Sequence, residues 1–206
     1  MRVLVLLALL FSGCSSLALT PGLGPDALAP GQKQVTATAG LFGLSARPTG
    51  LGIGDPPVTA SLQGFGGRLG LSNRTDAGVD VFRLPGDSAA SGIVQISARQ
   101  SVGDSLYPRA QFVTVSFALD RVGSTTREQF TTTGGQIVGA HLSPYLTAYV
   151  GGYTALSTPL AVGGGVVAGA EFHAESFTLR AEGGGTLWLL DFAVARSVAL
   201  TAGVRF

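Results

Sequence analysis

Charge is scarce in this chain. Asp, Glu, Lys and Arg make up 12% of its 206 residues, roughly half the share of an ordinary soluble domain. The 13 basic and 12 acidic side chains nearly cancel, so nothing would hold a polyanion, and nucleic acid is not expected as a partner. Cys14 is the only cysteine, which excludes a disulfide within the chain. The two histidines, His141 and His173, occur without a CxxC or HExxH pattern; no metal site and no cofactor are expected. Beyond the first twenty residues no 18 consecutive residues are apolar, which rules out a membrane-spanning helix.

Glycine and alternation are abundant instead. There are 31 glycines, and mean hydropathy is positive. Such a chain, charge-poor and without a spanning helix, suits a barrel in which every second residue faces lipid. The last ten residues carry the pattern most clearly. Val198, Leu200, Ala202, Val204 and Phe206 fall on one face of an extended strand, and Ser197, Ala199, Thr201, Gly203 and Arg205 on the other. With its terminal aromatic on the apolar face, this segment resembles the closing strand of bacterial outer-membrane β-barrels. The resemblance implies a site in the bacterial outer membrane, contact with its lipid, and engagement of the barrel-assembly machinery through the C-terminal strand.

At the other end, Arg2 precedes an apolar run from Val3 to Phe11, too short to span a bilayer and suited to a secretory signal. Phe11-Ser12-Gly13-Cys14 resembles the lipobox of bacterial lipoproteins, which implies that Cys14 becomes the lipidated first residue of the mature chain. The absence of Asp after Cys14 implies export to the outer membrane. The alternative is cleavage after Ala18, with Cys14 discarded. Residues 1–13 are thus read as signal peptide, 14–33 as a lipid-anchored flexible tether rich in proline, and 34–206 as the barrel. A tether of this kind places the N-terminus in the periplasm.

From Gln34 onward the pattern predicts an all-β, antiparallel, up-and-down transmembrane β-barrel. Ten strands are expected: one from Gln34 with alternation through Phe42, others near 58–72, 77–84, 132–142, 145–156, 160–173, 177–190 and 195–206, a fourth carrying Val94, Ile96 and Ala98 and a fifth carrying Val113, Val115, Phe117 and Leu119; eight is the alternative. Asn73-Arg74-Thr75-Asp76 is read as a turn. The polar stretches 46–57, 85–91 and 121–131 are read as extracellular loops.

Alternation then sorts the charges. A charge at the bilayer midplane of the lipid face costs about 2–4 kcal/mol, so Arg68, Asp80, Arg99, Asp120, Glu171, Arg180, Glu182 and Arg205 are assigned to the lumen. Pairing Phe172 with Phe177 makes Glu171 and Arg180 diagonal neighbours, and pairing Leu71 with Val79 does the same for Arg68 and Asp80. Such a cluster is either a pore lining or ligand site, or a salt-bridge network that fills a narrow tube; buried charges require pairing, and the network is preferred. Phe42, Phe112, Tyr149, Tyr153 and Trp188 also point inward, while Val113, Val115, Leu200 and Val204 point to lipid. Phe172, Phe177 and Phe206 are expected to form one aromatic girdle at the membrane interface.

His141-Leu142-Ser143 is similar to the His-x-Ser element of outer-membrane lipid A deacylases, in which a Ser–His–acid set is needed. The next acid is Glu171, two strands later, and Pro144 interrupts the strand, so catalysis is not expected. The sequence reading is a non-enzymatic outer-membrane β-barrel lipoprotein that presents extracellular loops over a lumen plugged by charged side chains. A narrow porin-like channel and a lipid-modifying enzyme are the alternatives, and a soluble periplasmic β-sandwich is a third. The sequence specifies no extracellular ligand.

Overall fold

The computed structural model describes residues 24–45, 58–85, 89–103, 106–122, 125–158, 161–189 and 193–206. Every regular element among them is a strand: β1 (Lys33–Ser45), β2 (Val58–Ser72), β3 (Thr75–Pro85), β4 (Ala89–Ser101), β5 (Arg109–Val122), β6 (Thr125–Ser143), β7 (Leu146–Ser157), β8 (Ala161–His173), β9 (Phe177–Trp188) and β10 (Ala193–Arg205). All neighbours pair antiparallel in chain order, and β1 pairs with β10, closing the barrel. The ten-strand expectation holds, and eight is excluded.

The stagger fixes the barrel's size. Following directly opposed residues from Ser45 through Val194, Leu187, Gly164, Thr154, Gly134, Val113, Ala98, Ala77 and Leu69 returns to β1 at Lys33, 12 residues away. Ten strands with that shear tilt by about 40° and give a backbone radius of about 10 Å. Inward side chains from opposite walls therefore meet near the axis.

Alternation sorts those side chains as expected. Phe42, Phe112, Tyr149, Tyr153 and Trp188 are buried inside, joined by Leu62, Phe82, Ile93 and Ile137. Outside stand Phe65 (73% exposed), Val166, Val198 (65%), Leu200, Val113 and Val204. Exposure of large apolar side chains around a whole barrel is the inverse of a water-soluble surface. The outward charges lie toward the two rims. Lys33 and Arg109 begin their strands, whereas Arg83 and Arg196 lie near the opposite end, about 20 Å higher along the axis at this tilt. Between them the outer belt carries no charge among the described residues.

Three inward aromatics need glycines. Tyr153 faces Gly165, Tyr149 faces Gly169 and Trp188 faces Gly163 across adjacent ladders. A Cβ at any of these three positions would lie against the facing ring. The glycines of β8 are thus flat beds on which aromatic rings lie, a means of filling a tube without widening it.

Several boundaries differ from the sequence reading. β3 begins at Thr75, so the β2–β3 turn is only residues 73–74 and Asp76 belongs to the strand. β5 runs to Val122 and β6 starts at Thr125, so the loop expected at 121–131 is mostly a β-ladder. Polar strand residues beyond an apolar belt stand in water and lose the hydrophobic alternation by which strands are recognised. The loop at 46–57 lies outside the described residues, as do residues 1–23, which include the expected signal peptide, Cys14 and the first part of the tether.

Candidate functional site

The rim where β1 begins and β10 ends, here called the proximal rim, holds most of the buried charge. Asp76 on β3 is its centre and is 0% exposed. Arg68 on β2 donates to Asp76 Oδ1 from Nε at 3.1 Å and from Nη2 at 2.7 Å. Arg99 on β4 donates to Oδ2 from Nε at 3.2 Å and from Nη2 at 2.5 Å. The backbone N–H of Leu28 donates to the same oxygen at 2.9 Å. Arg68 Nη1 also reaches Ser97 Oγ at 2.9 Å. Two planar guanidiniums clamp one carboxylate from both sides, the geometry in which Arg–carboxylate pairs are strongest.

A second cluster is built on β8, β9 and β10. Glu171 sits directly opposite Arg180 in the ladder. Arg180 donates to Glu171 Oε2 from Nε at 2.8 Å and also from Nη2. Arg205 Nη2 donates to Glu171 Oε1 at 3.1 Å, and His173 Nδ1 lies 3.3 Å from that oxygen. Above it, Tyr149 donates its hydroxyl to Glu182 Oε2 at 2.8 Å. Asp80 lies within electrostatic reach of Arg68 and Arg180. The described lumen set is thus four positive groups, Arg68, Arg99, Arg180 and Arg205, against Asp76, Asp80, Glu171 and Glu182. Neutrality lets such a set remain in a confined space.

The chain itself enters this network. Residues 24–32, expected to be flexible tether, fold into the proximal mouth. The Gly24 carbonyl accepts Arg99 Nη1, and a side chain at Gly24 would run into Glu171 and Arg180. Ser101 Oγ accepts the Ala27 N–H at 3.1 Å and donates to the Pro25 carbonyl at 3.2 Å. Leu28 is 2% exposed. Ala29-Pro30-Gly31-Gln32 then turns into β1, closed by a Gln32 N–H to Ala29 carbonyl bond of 3.0 Å. Pro second and Gly third, with Gly31 at φ 76°, are the residues a type II turn requires. Gly31 N–H and the Gln32 carbonyl bond the Gly70 backbone at 2.9 Å each, which fixes the segment to β2.

Apolar and polar side chains fill the remaining lumen. Two apolar clusters share it with the charges: Phe112, Ile137, Tyr149, Tyr153 and Trp188 with small neighbours, running from Phe112, directly opposite Arg99, up to Trp188 near the distal end, and Phe42, Leu62, Phe82, Ile93 and Ala195 toward the distal rim. Gln95, Thr114 and Thr133 also bury side-chain polar atoms with no protein partner; ordered water ordinarily satisfies such groups.

Most expected lumen residues therefore sit together. Arg68, Asp80, Arg99, Glu171, Arg180 and Glu182 are buried, and Arg205 is half-buried. The Asp120 side chain lies outside the described residues. Two pairings change. Phe172 opposes Leu179, and Gly67 opposes Val79, so Glu171 meets Arg180 head-on and the hydrogen-bond partner of Arg68 is Asp76. Asp76 was missed because a polar Asn-Arg-Thr-Asp run reads as a turn; its even spacing with Gly78, Asp80 and Phe82 was the available signal. Phe172, Phe177 and Phe206 all face outward at the proximal rim, with Tyr145 6.4 Å from Phe172 between ring centres. His141 Nδ1 bonds Thr147 Oγ1 at 2.7 Å, while Ser143 Oγ accepts the Tyr145 N–H at 3.2 Å. A register shift separates His141 from Ser143, so the two side chains serve different partners.

No family model matches this chain, and no curated protein matches it. Several solved structures are similar in shape. They include the translocator domain of autotransporter NalP from Neisseria meningitidis, at 12% identity over 89% of this chain and 91% of that one, with a TM-score of 0.49. Neisserial surface protein A is similar at 13% identity over 85% and 99%, TM-score 0.43. The N-terminal β-barrel domain of Pseudomonas aeruginosa OprF is similar at 13% identity over 87% and 100%, TM-score 0.41. These chains share few residues with this one, and the barrel assignment rests on its own closed strand ladder.

Proposed function

We propose that this protein is a non-enzymatic bacterial outer-membrane β-barrel with a closed lumen, its proximal rim and N-terminus on the periplasmic side and its distal connections presented outside. The observation that carries this reading is the inversion of the barrel: among the described residues, a charge-free apolar outer belt surrounds a neutral, ion-paired interior. Closed barrels satisfy every strand edge, as hydrocarbon demands. The lumen is filled by residues 24–32, by the arginine–carboxylate network and by two apolar clusters interleaved with it and above it. In this reading the protein has a structural, loop-presenting role, and the lipobox-like Phe11-Ser12-Gly13-Cys14 supports Cys14 as its lipid anchor.

The test joins location to conductance. The protein fractionates with outer membranes, and after reconstitution into a planar bilayer it passes no steady current. Recovery in the soluble fraction overturns the membrane reading. Steady ohmic conductance overturns the closed lumen and favours a narrow channel.

A further inference from the structure

One sector of the outer belt gathers exposed amides, whereas elsewhere on the belt Gln63 on β2 stands alone among the described residues. Gln100 opposes Gln111, and Gln111 opposes Gln136, so three glutamines form a row across β4, β5 and β6. All three side chains are exposed on the outside. Gln111 and Gln136 border a shallow groove of about 660 Å³ that includes Gly134, Gly152 and Thr154. On the opposite side of the barrel, near β10 and β1, the belt presents Val35, Leu41, Val198 and Leu200. Within hydrocarbon a side-chain amide has no solvent to bond, and lipid tails offer nothing in exchange.

We propose that β5, β6 and β7 form the interface of a two-fold dimer of this chain, centred on Gln111 and Gln136. The proposal rests on the membrane reading above. A second copy is the occupant that the chemistry fits. An amide carries both donor and acceptor, so the glutamine pair is complementary to itself. Two copies inserted the same way can be related only by a two-fold axis along the membrane normal, which brings residues of equal height together. At this strand tilt a cross-strand pair differs in height by about 3 Å, within reach of a glutamine side chain. Gln111 of each copy then meets Gln136 of the other, and both amides gain partners. Gly134 and Gly152 present no side chains, so the two walls approach closely, as small residues allow between membrane segments. The patch holds no charge, and self-association brings no like charges together.

The test uses a benzophenone side chain introduced at Val113, beside the glutamines, and separately at Leu200 on the far side. Illumination in native membranes yields an adduct of twice the chain mass from the Val113 position and none from Leu200. The double variant Gln111→Leu/Gln136→Leu lowers that adduct at least tenfold, yet remains in the membrane with an unchanged thermal unfolding midpoint. A membrane-embedded protein that gives no doubled-mass adduct, an adduct of another mass, or an adduct insensitive to the double substitution overturns the dimer while leaving the barrel intact. Recovery of the unsubstituted protein in the soluble fraction overturns the membrane reading, and the dimer with it.

Discussion

Replacing Asp76 by Ala is the most informative single perturbation of the lumen. Five hydrogen bonds end on its two oxygens, four from guanidiniums and one from the Leu28 backbone. The Arg68 and Arg99 side chains are only 3% and 2% exposed, so neither can turn to water when the carboxylate is gone. Removing one partner of a buried ion pair costs about 3–5 kcal/mol. Here one residue serves two arginines, and Asp80 compensates only part of the charge, so the expected loss lies at the upper end, about 4–5 kcal/mol. Arg74→Ala, in the exposed turn nearby, should cost no more than about 0.5 kcal/mol. The triple variant Asp76→Leu/Arg68→Met/Arg99→Met should recover most of the loss, because replacing a whole buried charged set by apolar groups is often neutral. Reversible urea unfolding in lipid vesicles, followed by tryptophan fluorescence of Trp188, measures all three. Equal stability of Asp76→Ala and Arg74→Ala would refute the clamp, and so would a triple variant less stable than Asp76→Ala.

Other outcomes follow from the same geometry. Gly169→Ala places a methyl group 2.6 Å from the Tyr149 ring and 2.7 Å from the Ala181 carbonyl; overpacking of this kind should cost about 1–3 kcal/mol, as measured by the urea unfolding midpoint, and a cost below about 0.5 kcal/mol would contradict the close ring contact. Gln95→Met should leave the unfolding midpoint unchanged or raise it, since neither amide atom has a protein partner; a loss above about 1 kcal/mol would mean the amide is bonded. Leu28→Ala should speed amide exchange across residues 24–32 without lowering global stability by the about 2–5 kcal/mol of a core truncation, because only the docked segment depends on that side chain; unchanged exchange would contradict the docking.

Faces were legible in the sequence where registers were not. Arg180 and Glu182 could be assigned to the lumen from alternation alone, because a slip by one residue would place both in hydrocarbon. Slips by two or four leave every face unchanged. The Phe172–Phe177 pairing expected across the β8–β9 turn is off by two, since the tight turn sits one residue later, on 175–176, closed by the Ala174 N–H to Phe177 carbonyl bond. The inward set came out right while the partners did not. Asp76 was hidden by turn-like neighbours. Residues 24–32 were hidden for another reason: their bonds run largely from backbone groups to Asp76, Arg99, Ser101 and Gly70, and backbone donors leave no periodic trace in a sequence. The glycines of β8 are intelligible only beside Tyr149, Tyr153 and Trp188, which lie on other strands.

The central claim is that one wall of alternating residues separates hydrocarbon from a closed, charged interior. It is tested most directly by single fluorescent labels at consecutive positions from Val198 to Val204 on β10, each read against a quencher carried on lipid acyl chains. The account predicts a period of two: strong quenching at Val198, Leu200, Ala202 and Val204, and weak quenching at Ala199, Thr201 and Gly203, whose positions face the lumen. Uniform quenching along the strand, or quenching with the opposite phase, would contradict it.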